Sequence, residues 1–107
     1  MLGSDHRSTL NTRHNIAFWT GETGNGPEAL RLLKELLPDQ ERLGWNHPST
    51  LLARNNIAHW TGETGDGPEA LRLFRELLPD QERVLGPNQP DAIRTRERFF
   101  YWRTRAQ

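Results

Sequence analysis

The sequence predicts an all-α protein built from stacked pairs of antiparallel helices. The first observation is an internal repeat, because residues 16–42 align with residues 57–83 at an offset of 41, with 23 of 27 residues identical. The second is the spacing of apolar residues, which recur at three- and four-residue steps as on one face of a helix. The third is the length of 107 residues, which can enclose only one small core. A period of this length is typical of arrays in which each unit buries its apolar face against its neighbours.

The chain divides into two whole repeats and the first half of a third, which together form a single domain. The repeats cover about residues 2–42, 43–84 and 85–107. The third unit opens on Leu85-Gly86, which matches Leu43-Gly44 at an offset of 42. We therefore predict about five helices in the order A, B, A, B, A. Short connections between them make successive helices antiparallel.

Within each repeat, a glycine-rich break separates helix A from helix B. In the first repeat the sequence Thr-Gly-Glu-Thr-Gly at 20–24 ends the first helical pattern. Pro27 then suits the first turn of helix B, because its missing N–H would have no partner there. Pro38 and Pro79 lie inside the pattern of helix B, where proline cannot donate to the carbonyl four residues back. We therefore expect helix B to kink or restart at these two prolines.

Several short motifs recur in the repeats and point to a known family. They are a Leu-Gly loop ahead of helix A, an Asn-Ile-Ala segment within it, Ala70-x-x-x-Phe74 in helix B, and Gly65 between the helices. With the period of 41 to 42, these motifs resemble the tetratricopeptide repeat, in the longer variety found in kinesin light chains and in many bacterial regulatory proteins. The resemblance covers about residues 2–102. It implies a protein that is not an enzyme and that binds a peptide or protein partner within a larger regulatory or scaffolding system.

The resemblance also implies a concave groove formed by the A helices. Asn15 and Asn56 match the asparagine that, in similar repeats, bonds the backbone or the terminal carboxylate of an extended peptide, since an amide both donates and accepts. Arg98 takes this place in the third unit, where a guanidinium favours a carboxylate or a phosphate. The alternative is that these residues bond between helices or point to water. The predicted groove residues are Asn11, His14, Asn15, Phe18, Asn55, Asn56, His59, Glu63, Arg94, Arg98, Tyr101 and Arg105.

The last helix supports a second hypothesis, because Phe99, Phe100, Tyr101 and Trp102 are adjacent in it. In a complete repeat these side chains would pack under a following helix B, and four adjacent aromatic residues cannot all find cover on one neighbour. The alternative function is therefore a structural element that self-associates through Phe99, Phe100 and Trp102, as a homodimer or a larger assembly. The same segment, residues 86–107, has five arginines against two carboxylates, which favours a soluble cap of the array over an anion site.

Composition argues against several other classes of protein. The 14 lysines and arginines balance the 14 aspartates and glutamates, so the basic field of a nucleic-acid binder is missing. There is no cysteine, and His14 and His59 lack the spacing of a metal site. No apolar run is long enough to span a membrane, and the N-terminal residues lack the pattern of a secretory signal. We therefore expect a cytoplasmic protein without a metal or cofactor.

Overall fold

The computed structural model describes residues 6–105, with side chains from residue 9 onward, and these residues form five α-helices. The helices are α1 (His6–Glu22), α2 (Gly26–Glu41), α3 (Pro48–Glu63), α4 (Gly67–Leu85) and α5 (Pro90–Arg105). Residues 6–105 contain no strand. Each helix packs against the next in the chain, and α3 also contacts both α1 and α5. The all-α prediction is confirmed, with α1, α3 and α5 as the A helices and α2 and α4 as the B helices.

Both B helices begin as the sequence predicts, with a capping side chain ahead of a proline in the first turn. The Glu28 N–H donates to Asn25 Oδ1 at 3.2 Å, and the Glu69 N–H donates to Asp66 Oδ1 at the same distance. Each side chain satisfies one of the backbone donors that a helix leaves free at its start. The change from asparagine to aspartate between the repeats therefore preserves the cap.

Helix B is expected to kink or restart at its proline, and the restart is wrong. α2 continues through Pro38 to Glu41, and α4 continues through Pro79 to Leu85. An aspartate follows each proline, and in both repeats it pairs with an arginine of helix A. This ion pair joins the C-terminal part of helix B to helix A, while the helix continues past a proline that removes one backbone hydrogen bond.

The two ion pairs occupy equivalent positions and connect helix A to helix B within each repeat. Arg13 Nη1 lies 2.5 Å from Asp39 Oδ2, and Arg54 Nη1 lies 3.0 Å from Asp80 Oδ2. The Arg54 side chain is only 7% exposed, and its guanidinium also lies 4.3 Å from the ring centroid of Trp45. The arginine at this helix-A position therefore packs as well as pairs.

The core consists of two apolar clusters that follow the repeat. Between α1, α2 and α3, it is formed by Ala17, Leu33 and Ile57. Between α3 and α4, it is formed by Leu51, Ala58, Ala70, Phe74 and Leu77. Leu33 and Phe74 are equivalent positions of the two B helices, and both are fully buried. The same register thus supplies the core residues of both repeats.

Successive A helices meet through a tryptophan packed on a glycine. The ring of Trp60 in α3 lies on Gly21 in α1, and the ring of Trp102 in α5 lies on Gly62 in α3. A Cβ at Gly21 would lie 2.2 Å from Trp60 Cζ2, and a Cβ at Gly62 would lie 2.4 Å from Trp102 Cζ2. These distances are far shorter than carbon atoms tolerate without moving. Each contact between A helices therefore requires a glycine.

Candidate functional site

A cavity of about 490 Å³ opens where the three A helices come together. Its lining residues are His14, Asn15, Phe18, Glu22, Leu52, Asn56, Arg94 and Arg98. Six of these eight belong to the predicted groove set, and all three A helices contribute to it. We call this space the A-helix cavity. Its volume lies in the range of pockets that bind small ligands or a few side chains.

Two side-chain contacts organise the wall of the A-helix cavity. Asn56 Nδ2 lies 3.1 Å from His14 Nε2, and Arg98 Nη1 donates to Asn55 Oδ1 at 3.2 Å. Asn56 and His14 are each 8% exposed, whereas Asn55 is 1% exposed. The alternative of bonding between helices therefore applies to Asn56, which contacts α1, and to Arg98, which contacts α3. Asn55 supports Arg98 from within the protein, which corrects its prediction as a groove-lining residue.

The Asn56 contact also indicates how His14 is protonated. An amide nitrogen only donates, so Nε2 of the neutral His14 imidazole is the acceptor in this contact. His14 Nδ1 is buried and has no hydrogen-bond partner among the described residues. Burial lowers the pKa of His14, so the ring stays neutral at pH 7. His14 thus adds a polar but uncharged group to the cavity wall.

Arg98 is the central cation of the A-helix cavity. Burial lowers its pKa, and the neighbouring charge of Arg94 lowers it further, while Glu63 and Glu22 act in the opposite direction. No carboxylate among the described residues lies within ion-pair distance of Arg98, whereas Arg94 Nη1 lies 3.1 Å from Asp91 Oδ1. A partly buried guanidinium that has an amide as its bonding partner would gain strongly from a carboxylate.

The imidazole of His59, a residue of α3, lies beside Arg98 of α5. Burial, with a smaller contribution from Arg98, lowers the pKa of His59 to about 4. The ring also packs against Trp60, with 4.7 Å between the two ring centroids. His59 is therefore neutral at pH 7, and its depressed pKa is a consequence of folding.

The free energy of unfolding is expected to fall as the pH decreases from about 6.5 to about 4. An unfolded imidazole binds a proton near pH 6.5, while folded His59 resists protonation until about pH 4. Protons therefore favour the unfolded chain throughout this window. His59→Gln should reduce the loss by about 1–3 kcal/mol relative to the unmodified chain, measured by urea unfolding at pH 7 and pH 4. Equal losses in the two proteins would contradict a buried, neutral His59.

The other predicted groove residues do not line the A-helix cavity. Asn11 is exposed on α1. Glu63 is exposed and borders a separate depression beside Trp60. Tyr101 and Arg105 are also exposed, and the Arg105 guanidinium lies 4.4 Å from the centroid of the Tyr101 ring. The cavity is therefore shorter than the predicted groove and does not reach the C-terminal end of α5.

Two lining residues, Glu22 and Leu52, were missing from the predicted set. Leu52 occupies the repeat position of Asn11 and Arg94, and Glu22 occupies that of Glu63. The repeat register could therefore have identified both residues. Leu52 was missed because it is apolar, and Glu22 because a carboxylate at a helix end is usually solvated.

The aromatic residues of α5 are covered differently from the prediction. Phe99 and Trp102 are partly buried and pack against the core cluster between α3 and α4, so these two aromatic residues find cover within the chain. The preceding repeat, instead of a following helix B, supplies their cover. Phe100 and Tyr101 are 50% and 45% exposed, and an arginine of the same helix lies over each ring. Of the three residues predicted for self-association, only Phe100 is therefore exposed, and self-association through α5 stays a prediction.

Among the described residues, no group of three or more histidine, cysteine, aspartate or glutamate side chains is placed to hold a metal ion. Within the same part of the chain, no helix combines the length and the apolar character needed to cross a membrane.

The stacked helix pairs and the cavity on their A helices define a helical-repeat protein. The tetratricopeptide repeat family model matches residues 9–49 and 50–91, which together make up most of the chain. The protein therefore belongs to the tetratricopeptide repeat family. Folds of this family generally mediate protein–protein interaction.

Solved structures show the same fold. One is the crystal structure of a protein described as a kinesin light chain with nearly identical TPR-like repeats, from Podosopora anserina, which is 23% identical over 92% of this chain with a TM-score of 0.79. A single-substitution variant of that protein is 24% identical over 94% of this chain, with a TM-score of 0.80. This chain spans 47% and 48% of those two chains. No curated protein matches the sequence.

Proposed function

We propose that this chain is a protein-interaction module that holds an extended peptide in the A-helix cavity. The observation that carries the proposal is the convergence of α1, α3 and α5 on one cavity with a partly buried cation, Arg98. The family generally supplies binding surfaces. The cavity is built from the A helices, which the resemblance implies form the concave side of the array. A segment of a partner protein inside a regulatory or scaffolding assembly is the kind of ligand that fits.

The lining of the cavity suggests the chemistry of the bound peptide. Arg98 and Arg94 on α5 suit an acidic side chain or a free C-terminal carboxylate. Phe18 on α1, which is 37% exposed, and half-buried Leu52 on α3 offer apolar surface to a neighbouring side chain. Glu22 on α1 repels a second carboxylate, so the acidic end of the peptide should lie on α5. The peptide therefore binds in one direction across the A helices.

Arg98→Ala is expected to weaken binding of carboxylate-terminated peptides about 10- to 100-fold, because it removes a charge-assisted hydrogen bond. The probe is a set of extended peptides, each made with a free and with an amidated C-terminus, and the readout is fluorescence anisotropy. Arg98→Ala should also remove the preference for the free carboxylate. Asn56→Ala should weaken the binding of both the free and the amidated peptide, because Asn56 lines the cavity and contacts His14, and neither contact involves the C-terminus of the peptide.

Arg72→Ala is the matched control for charge. Arg72 lies on helix B, where it pairs with Glu69 and Glu76 on an exposed face away from the A-helix cavity. This variant changes the net charge as Arg98→Ala does, so its peptide affinity should stay unchanged. Thermal melts verify that all the variants fold. If a peptide binds with the same affinity to the unmodified chain and to the Asn56→Ala and Arg98→Ala variants, its binding site lies outside the A-helix cavity.

A further inference from the structure

The outer face of α1 exposes two apolar residues whose counterparts in the next repeat are covered. Ile16 and Trp19 are 54% and 63% exposed. Their equivalents in α3 are Ile57, which is 7% exposed, and Trp60, which packs on the preceding A helix. The exposed pair borders an open depression of about 480 Å³. Its lining residues are Thr12, Asn15, Ile16, Trp19, Thr20 and Thr23, and none of them is charged.

The structure shows what covers this face in the following repeat. Ile57 packs with Ala17 of α1 and Leu33 of α2. The Trp60 ring lies on Gly21 near the end of α1 and on the first residue of α2, where a Cβ on Gly26 would lie 3.1 Å from Trp60 Cε3. We call this receiving surface, a glycine near the end of helix A together with the start of helix B, a glycine notch. It fits one indole ring and excludes a side chain at its glycine.

A second copy of this chain cannot offer an open glycine notch to Trp19. The notch at Gly21 is filled by Trp60, and the ring of Trp102 lies on Gly62. On α5 the equivalent position is Thr104, which carries a Cβ where the incoming ring would lie. Head-to-tail stacking of identical chains through Trp19 is therefore blocked at the last A helix.

We propose that the outer face of α1 docks the edge of another helical repeat that presents an open glycine notch. The partner's last helix pair has a glycine at the place of Gly21 and Gly62, and its surrounding surface is uncharged, since the depression beside Trp19 is uncharged. Trp19 enters this notch as Trp60 enters its own, and Ile16 packs beside it against the partner's helix B. The surface continues the interface that already connects the repeats of this chain.

The test mixes the unmodified chain with a donor that has an open notch. The donor is this chain with Thr104→Gly. A copy of residues 63–85 replaces residues 105–107, so that a helix B follows α5. The donor also carries Trp19→Ala, so that it cannot stack on itself. The matched control donor is identical but keeps Thr104. Sedimentation velocity should show a one-to-one complex with the glycine donor and binding weaker by about tenfold or more with the threonine donor. Trp19→Ala in the acceptor should abolish the complex.

A covalent version of the test decides the matter if the donor in solution fails to fold. A copy of residues 43–83 is joined directly ahead of residue 2, which keeps the period of 41. The emission of Trp19, obtained by difference from a Trp19→Phe reference, should shift to shorter wavelength. The shift should disappear when the copy of Gly62 is replaced by threonine. Unshifted emission in a cooperatively melting fusion, or equal behaviour of glycine and threonine donors, would overturn the proposal.

Discussion

Phe74→Ala is expected to lower the free energy of unfolding by about 3–5 kcal/mol, because a fully buried ring would be replaced by a cavity. Phe74 is 0% exposed and lies in the core cluster between α3 and α4. In a domain of this size such a loss is a large part of the total stability. Urea unfolding monitored by circular dichroism measures it.

Phe100→Ala is the matched control for this prediction. Phe100 is 50% exposed on α5, so the same chemical change should cost about 1 kcal/mol or less. The comparison separates the burial of Phe74 from a general effect of losing an aromatic residue. Similar losses in the two variants would show that the faces of the helices are assigned wrongly.

Gly62→Ala is expected to destabilise the protein by about 1–3 kcal/mol, against the usual trend for helices. In an ordinary helix interior, alanine is more stable than glycine by about 1 kcal/mol. Here the new Cβ would lie 2.4 Å from Trp102 Cζ2, so the indole must leave its place or the helices must separate. The sign of the change therefore reports directly on the tryptophan–glycine contact, and thermal and urea unfolding measure it.

A double-mutant cycle with Trp102→Ala makes this prediction specific. Without the indole, Gly62→Ala should become neutral or stabilising, because only the helix propensity of alanine remains. The coupling between the two substitutions should thus be opposite in sign to the cost of Gly62→Ala alone. If Gly62→Ala destabilises equally in both backgrounds, the contact does not set the spacing of the A helices.

The order and type of the helices could be predicted from the sequence because the same pattern occurs in both repeats. Equivalent residues at an offset of 41 place the same apolar face on both pairs, so Leu33 and Phe74, though different residues, are core positions by the same argument. The course of helix B past Pro38 could not be predicted in this way. The proline by itself favours a break, and the contact between Asp39 and Arg13 that accompanies the continuous helix joins residues 26 positions apart in the sequence.

The residues that line the cavity could be predicted better from their position in the repeat than from their residue type. Adjacent Asn55 and Asn56 look equivalent in the sequence, yet Asn55 is turned inward to Arg98 while Asn56 lines the cavity. The rotation of an A helix about its axis decides between them. In this chain that rotation is fixed by contacts such as Trp60 on Gly21, which local propensity does not reveal.

The most direct test of peptide binding in the A-helix cavity is a nuclear magnetic resonance titration of the isotope-labelled chain with a carboxylate-terminated peptide that it binds. If the peptide binds there, the largest shifts should occur at the side-chain amides of Asn15 and Asn56 and at the guanidinium of Arg98, with little change at Arg72 on helix B. Amidation of the peptide should remove mainly the Arg98 shift. Shifts confined to the B helices or to the outer face of α1, with Asn56 and Arg98 unmoved, would contradict it.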